Sequence, residues 1–185
     1  MLFNVPCFRR IASQRRLPAV LLPLVLALSL VATSSSHAQF SHPREQTRLE
    51  IAITAEAGVN PDDKGRAAPI LVRLYELKSE GAFESADYFS LYGNDKALIG
   101  SDLLVRDEFI LRPGDVKTIR RKSHPDVTAI GILAGYRDLA QADWRMVQKI
   151  DPAPEVAWYR SVLPTNKVKL QIALQAKGIQ LIPLK

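Results

Sequence analysis

Cysteine and histidine are scarce in this chain, which holds one cysteine and three histidines among 185 residues. The single cysteine, Cys7, cannot form an intrachain disulfide, and no group of histidines and cysteines has the spacing of a transition-metal site. The sequence also lacks a G-x-S-x-G stretch, a P-loop and a G-x-G-x-x-G stretch. These absences argue against a disulfide-stapled fold, a transition-metal cofactor and the commonest enzyme motifs.

The N-terminus has the pattern of an export signal. Residues 1–38 contain no acidic residue and four arginines, which are Arg9, Arg10, Arg15 and Arg16. An apolar run of about 16 residues follows, and the small residues Ser36 and Ala38 stand at the positions that signal peptidase requires. The run is shorter than the roughly 20 residues that span a bilayer as a helix. We therefore expect residues 1–38 to be a cleaved signal peptide rather than an uncleaved anchor.

The positive charge of the chain is concentrated in that N-terminal segment. The 25 basic residues include its four arginines, so the rest of the chain carries 21 basic residues against 19 acidic ones. A nearly balanced charge does not provide the strong basic patch that nucleic-acid binding requires. The sequence therefore predicts no nucleic-acid partner.

Short apolar–polar alternations dominate the chain after residues 39–47, which are polar and are predicted to form a flexible lead. Leu49, Ile51 and Ile53 alternate with polar or small residues, which is the period of a half-buried strand. The alternation of Val168, Leu170, Ile172 and Leu174 with lysine and glutamine is the clearest in the chain, and a turn leads from it into residues 179–182 as a hairpin. Further strands are predicted at residues 70–77, 107–111, 116–121, 127–136 and 144–150.

Helical signals are few. Residues 85–92 favour a helix with Ser85 as the cap, and the spacing of Phe89 and Tyr92 places both on one face, which we expect to be the core face. A second helical turn is predicted within residues 96–105. Eight or nine strands without a β–α–β rhythm predict an all-β sandwich with helical inserts over residues 48–185.

Two polar stretches have residue types found in functional sites. Ser123-His124-Pro125-Asp126 contains the residue types of a catalytic triad, but neighbours within one turn do not converge in space as a triad requires, so we interpret it as a turn. Within the polar loop of residues 58–68, the run Asn60–Gly65 resembles the start of a calcium loop only weakly, because Lys64 and, beyond the loop, Leu71 occupy ligand positions. That segment is either a plain connector or a binding loop on a rigid sandwich.

The order of these motifs resembles the TssJ family of type VI secretion components. The matching pieces are Val59-Asn60-Pro61-Asp62 with Gly65-Arg66 after the first strand, Pro69-Ile70-Leu71-Val72-Arg73-Leu74-Tyr75-Glu76-Leu77, Phe83, Asp87-Tyr88-Phe89, Leu91, Asp107-Glu108, Pro113-Gly114, Gly131-Ile132-Leu133-Ala134-Gly135-Tyr136-Arg137-Asp138 and Trp144-Arg145. The resemblance covers nearly all of residues 48–182.

This resemblance implies a transthyretin-like β-sandwich of two antiparallel sheets with short helical inserts. It implies a non-enzymatic protein of the periplasm, on the outer-membrane side, without a cofactor or a metal. Its partner would be the periplasmic C-terminal domain of TssM and, through TssM, the protein TssL. The implied partner-binding residues follow the first strand and are Asn60, Pro61, Asp62, Asp63, Lys64, Gly65 and Arg66.

One feature departs from the family pattern. Members normally carry a cysteine that is lipidated and becomes the mature N-terminus, whereas Cys7 precedes the apolar run here. The sequence therefore predicts that any attachment to the outer membrane is indirect. The alternative interpretation is a generic periplasmic β-sandwich that binds a small ligand or acts as a chaperone-like module. A pull-down from periplasmic extract separates the two, with TssM as the main capture in one case and many unrelated clients in the other.

The processing of the N-terminus gives a first testable prediction. We expect the mature protein to begin at Gln39 and to carry no lipid, because Ser36 and Ala38 follow the apolar run and no cysteine does. The intact mass of the periplasmic form checks this. A species that retains the arginine-rich segment, or one heavier by acyl chains, would contradict it.

Overall fold

The structure is a computed structural model that describes residues 44–156 and 166–183. The predicted signal peptide and Trp158, which the sequence favours as a core or edge residue, lie outside the described residues. The described elements are the strands β1 (Arg48–Ala55), β2 (Ile70–Leu77), β3 (Leu103–Leu111), β4 (Val116–Lys122), β5 (Ala129–Ala134), β6 (Arg145–Lys149), β7 (Lys167–Leu174) and β8 (Ile179–Ile182), and the helices α1 (Gly81–Ser85) and α2 (Tyr88–Ile99).

The strands form two four-stranded sheets that face each other across a core. The first sheet has the order β4-β1-β7-β8, and the second has the order β3-β2-β5-β6. Alternating residues of β1 and β7, such as Ile51, Ile53 and Ile172, are buried between the sheets. The all-β sandwich predicted from the sequence is therefore confirmed, and so is the C-terminal hairpin of β7 and β8.

One strand pair differs from the expected antiparallel arrangement. β1 and β7 run parallel, with Ile51 opposite Leu170 and Ile53 opposite Ile172, whereas every other described pair is antiparallel. Parallel neighbours need a long crossover connection, and here the whole second sheet lies between them in the chain. Alternation within a strand does not report the direction of its neighbour, so the sequence alone did not reveal this pair.

The second sheet is covered on both faces, because both helices pack on its outer side. Tyr75, Leu77 and Leu133 face outward from β2 and β5 and form a second apolar cluster with Phe83 of α1 and with residues of α2. The blurred alternation of β2 and the continuous apolar run of β5 reflect this double burial. A Cβ on Gly131 would lie 3.0 Å from the Phe83 ring, so a glycine at this position allows α1 to approach the sheet closely.

The helices begin and end differently from the sequence prediction. Asp87, not Ser85, caps the main helix, and its side chain accepts a hydrogen bond from the backbone N–H of Ser90. The predicted second helical turn belongs partly to α2, which is kinked at Asn94 and ends at Ile99, and partly to β3. The prediction that Phe89 and Tyr92 face the core was wrong, since Phe89 is 73% exposed and Tyr92 is 46% exposed.

A buried arginine on β2 connects α2 to the second sheet. Arg73 donates to the backbone carbonyls of Leu91 at 3.2 Å and Tyr92 at 2.8 Å, which precede the kink at Asn94. Its Nε donates to Glu108 Oε2 of β3 at 2.6 Å. The Arg73 side chain is only 9% exposed. It therefore satisfies carbonyl groups that the interrupted helix would otherwise leave unpaired.

Asp95 completes this network from the other side of the kink. Its Oδ2 accepts from Arg106 Nη1 at 2.8 Å and from the Tyr75 hydroxyl at 3.2 Å, and it lies 3.6 Å from Arg73 Nη1. Burial alone would raise the pKa of Asp95, but the hydrogen bond and charge of Arg106 outweigh it and hold that pKa below its usual range. Burial also raises the pKa of Tyr75 to about 12. The carboxylate therefore stays charged and paired at neutral pH.

Residues 44–47, the described end of the polar lead, are joined to the domain by hydrogen bonds. Thr47 is 1% exposed, its carbonyl accepts from the Ser123 N–H, and its hydroxyl accepts from Asn166 Nδ2 at 2.9 Å. Arg44 forms an isolated bridge with Glu155. The ordered domain therefore includes residues 44–47, which the sequence assigned to a flexible lead, because their backbone groups find partners that only the folded chain provides.

Candidate partner-binding site

The loop between β1 and β2 has a buried base. Val59 is fully buried in the main core, and its carbonyl accepts from the Ala68 N–H. Asn60 is 7% exposed and adopts a positive φ of 49°, a conformation that asparagine tolerates better than most residues. The Asn60 Nδ2 donates to the Pro69 carbonyl at 2.9 Å, and its Oδ1 accepts from the Arg137 N–H at 2.8 Å. The base is thus held to β2 and to the segment after β5.

The tip of the loop is closed by Asp62. Its Oδ1 accepts from the N–H groups of Lys64 and Arg66, both at 2.9 Å, and its Oδ2 accepts from Arg66 Nε at 2.8 Å. Gly65 has a φ of +75°, which a glycine adopts without strain, and its N–H donates to the Asp62 carbonyl. These bonds give residues 62–66 a defined shape without help from a partner.

The charges at the tip are divided between paired and unpaired groups. Hydrogen bonds from Arg66, from its side chain first and then from its backbone N–H, hold the pKa of Asp62 below its usual range. Arg66 pairs with Asp62 at 2.7 Å, yet its side chain remains 73% exposed. Asp63 and Lys64 are exposed, and within the described residues neither side chain has a partner. The tip therefore presents both signs of charge on an ordered backbone.

The loop forms one wall of a cleft at the end of the sandwich. The cleft has a volume of about 420 Å³. The other walls come from the segment that follows β5 and from the hairpin between β7 and β8. The lining residues are Asn60, Pro61, Asp62, Asp63, Tyr136, Arg137, Asp138, Ala142, Ala176 and Lys177. Tyr136 donates to the Gly178 carbonyl at 2.6 Å, and this bond connects two of the walls.

The seven implied partner-binding residues differ in exposure, and besides those described next, Pro61 is half-buried and Gly65 is exposed. Asn60 is buried and its amide is used within the domain, so its role is to position the loop rather than to present a side chain to a partner. Asp62 is half-buried and holds the tip, while Asp63, Lys64 and Arg66 are exposed. The segment Gly135-Tyr136-Arg137-Asp138 supplies the backbone N–H that holds Asn60 and part of the cleft wall.

An exposed aromatic cluster on α2 was missed by the sequence analysis. Tyr88 stacks on Tyr92 with ring centroids 5.8 Å apart and contacts Phe89 and Trp144 edge-on at 5.4 Å each. Arg73 lies 4.7 Å from the Tyr92 ring centroid. Because aromatic side chains supply much of the energy of protein interfaces, this cluster is a second candidate surface for a protein partner.

The Ser123–Asp126 turn lacks the geometry of a catalytic triad. Ser123 is 1% exposed, and its hydroxyl has no hydrogen-bond partner within the described residues. His124 Nδ1 accepts from the Asp126 backbone N–H at 3.2 Å, which is a local turn contact. No group of three or more His, Cys, Asp or Glu side chains in residues 44–156 and 166–183 could hold a metal ion. No helix in those two ranges is long and apolar enough to cross a membrane.

The fold and the ordered loop define the class of protein. It is a small β-sandwich module that exposes polar groups on its loops. The model of the type VI secretion lipoprotein family, described by the names VasD, EvfM and TssJ, matches residues 47–177. The chain belongs to this family. It is a component of the type VI secretion apparatus of the cell envelope.

Solved structures support the same assignment. The chain is 37% identical to the type VI lipoprotein TssJ1 from Pseudomonas aeruginosa, with a TM-score of 0.65 over 76% of this chain and 100% of the other. Similarity to Lip, a membrane-bound type VI component from Serratia marcescens, is 26% identity and a TM-score of 0.66 over 76% and 99% of the two chains. A chain of a type VI membrane complex shares the fold at 22% identity, with a TM-score of 0.61 over 75% and 100%. No curated protein sequence matches the chain.

Proposed function

We propose that this protein is a non-enzymatic periplasmic component that binds the periplasmic C-terminal domain of TssM and, through it, joins TssL. The observation that carries the proposal is the ordered β1–β2 loop on a chain of this family. Attachment to the outer-membrane side of the envelope would then come from the partner rather than from an acyl chain.

The loop supports binding because its shape exists before the partner arrives. Binding a flexible segment costs the free energy of ordering it, and a segment already ordered avoids most of that cost. Here the base is fixed by Asn60 and the tip by Asp62, so Asp63, Lys64 and Arg66 project from a rigid frame. Exposed charges of both signs steer a partner and fix its register.

Two single substitutions test the exposed tip. Arg66→Ala should weaken binding of the TssM domain by about 1 kcal/mol or more, because arginine is enriched at binding hot spots. Asp63→Ala should also weaken binding, because it removes a charge that would fix the register of the partner. Calorimetric titration with the purified TssM domain measures the affinity, and thermal unfolding measures the integrity of the fold. Glu84→Ala removes an exposed carboxylate from α1, away from the loop, and should leave the affinity unchanged.

The double substitution Asp62→Ala with Asp63→Ala removes the group that holds the tip as well as an exposed charge. It should weaken binding at least as much as Asp63→Ala does, while the melting temperature stays nearly unchanged because the side-chain hydrogen bonds of Asp62 are made within the loop. Unchanged affinity in the folded Arg66 and double variants would move the interface elsewhere, with the aromatic cluster of α2 as the next surface to test. The loop would then be a plain connector.

A further inference from the structure

The two sheets differ in what covers their outer faces. Both helices pack on the second sheet, whereas none of the described elements packs on the outer face of the first sheet. That outer face carries five cations and one carboxylate at the ends of its strands. The cations are Arg48, Arg120, Lys122, Lys167 and Lys169, and the carboxylate is Glu50. We call this surface the basic face.

The strand register arranges these charges in two rows. In the first row Arg48 of β1 lies directly opposite Lys122 on one side and opposite Lys167 on the other. In the second row Glu50 lies between Arg120 and Lys169. Directly opposed side chains of an antiparallel pair have Cβ atoms about 4.5–5.5 Å apart, and like charges in that position destabilise the sheet.

Glu50 compensates only part of this repulsion. Its carboxylate pairs with Lys167 at 2.7 Å and with Arg120 at 3.1 Å. The hydrogen bonds from Lys167 and then Arg120 hold the pKa of Glu50 below its usual range. Arg48, Lys122 and Lys169 have no side-chain partner within the described residues. Three unpaired cations therefore face solvent, and the opposed like charges of Arg48 and Lys122 destabilise the folded state, which indicates that this arrangement serves something other than stability.

The chemistry of the basic face favours a flat anionic surface over a protein. The strands β1, β4, β7 and β8 contain no aromatic residue. Protein interfaces are enriched in aromatic residues and depleted in lysine, and this face has the opposite composition. Next to the two rows, the small or polar side chains of Ala52, Thr118 and Gln171 line an open depression of about 260 Å³ together with Glu50, Arg120 and Lys169.

We propose that the basic face binds the anionic head groups of a membrane surface. Each basic residue close to an anionic bilayer raises the affinity of a protein for that bilayer roughly fivefold. The gain is lost when the residue lies more than a Debye length from the surface. The inference is independent of the proposed TssM contact, which lies on a loop at the end of the sandwich. It adds to the attachment through the partner a direct contact with lipid head groups, and this contact requires no acyl chain.

Vesicle binding tests the proposal, using protein purified from the periplasmic fraction of expressing cells. The probes are vesicles of phosphatidylglycerol mixed with phosphatidylcholine and vesicles of phosphatidylcholine alone. Wild-type protein should sediment with the anionic vesicles only, and less so as salt is raised. Lys122→Gln with Lys169→Gln should weaken that binding roughly 30-fold. Lys78→Gln with Lys96→Gln, which removes the same charge elsewhere, should weaken it far less.

Two further readouts test whether the basic face itself holds the vesicle. Replacing Lys122 should not lower the melting temperature, since it removes a repulsion with Arg48. The proposal is overturned if wild-type protein ignores anionic vesicles at low salt, or if the two double variants lose binding equally. Binding to a poly-glutamate peptide without binding to vesicles would also overturn it, and would make the face a docking site for an acidic protein segment.

Discussion

Replacing Arg73 by methionine should lower the free energy of unfolding by about 3–5 kcal/mol, the usual cost of removing one partner of a buried charged network. The substitution keeps most of the side-chain volume but removes the donors to the Leu91 and Tyr92 carbonyls and to Glu108. Buried carbonyl groups without donors are costly, so the kinked start of α2 should loosen from the sheet. Urea denaturation followed by circular dichroism measures the change.

The same substitution at an exposed arginine is the control. Arg120 pairs with Glu50 on the outer face of the first sheet, but its side chain is 73% exposed. An exposed ion pair contributes little to stability because solvent screens it, so Arg120→Met should have a small effect. Equal losses at Arg73 and Arg120 would mean that the buried network does not hold α2 to the sheet.

Ile172→Ala should lower the free energy of unfolding by about 2–5 kcal/mol, and Leu170→Ala by a similar amount. Ile172 is 1% exposed and Leu170 is 8% exposed, and both face the core from β7. Removing either side chain leaves a cavity between the two sheets, where neighbouring strands hold the walls apart. Chemical denaturation measures the loss.

Lys169, which lies between Leu170 and Val168 on β7, is the matched control. It is exposed on the opposite face of β7, so Lys169→Ala should change stability by less than about 0.5 kcal/mol. If Lys169→Ala lowered the free energy of unfolding as much as Leu170→Ala and Ile172→Ala do, β7 would not be a strand with one buried face.

The strands were predictable because one buried face leaves a period of two in the sequence. Leu49, Ile51 and Ile53 of β1 are all fully buried, and the same alternation located β7. β3 was predicted too short, because its first residues continue directly from the region that favoured a helical turn. The parallel pairing of β1 with β7 was not predictable from either strand alone, since alternation is the same in both directions.

The aromatic residues of α2 show that helical spacing alone does not predict which side chains are buried. A spacing of three residues places Phe89 and Tyr92 near one another on a helix, but it does not say which face meets the core. Leu91 and Ile99 are the buried apolar residues of this helix. The kink at Asn94 changes the face that α2 presents along its length, so no single periodic stripe exists to be found.

The partner-binding role of the β1–β2 loop stays a prediction, and the internal organisation of the loop could not be predicted. The polar composition left a connector and a binding loop open, and the family resemblance supplied the candidate residues. Asn60 can be buried because its side-chain Oδ1 accepts a hydrogen bond from the backbone N–H of Arg137, which lies 77 residues further along the chain. Contacts at that separation leave no local signal, and the same holds for the basic face, which exists only because β1, β4 and β7 are neighbours.

Calorimetric titration of the wild-type protein with the purified periplasmic domain of TssM is the most direct test of the central claim. The account predicts saturable binding, which Arg66→Ala weakens by about 1 kcal/mol or more while Glu84→Ala leaves it unchanged. Absence of binding by a protein that unfolds cooperatively would contradict the claim, and so would binding that none of the loop substitutions alters.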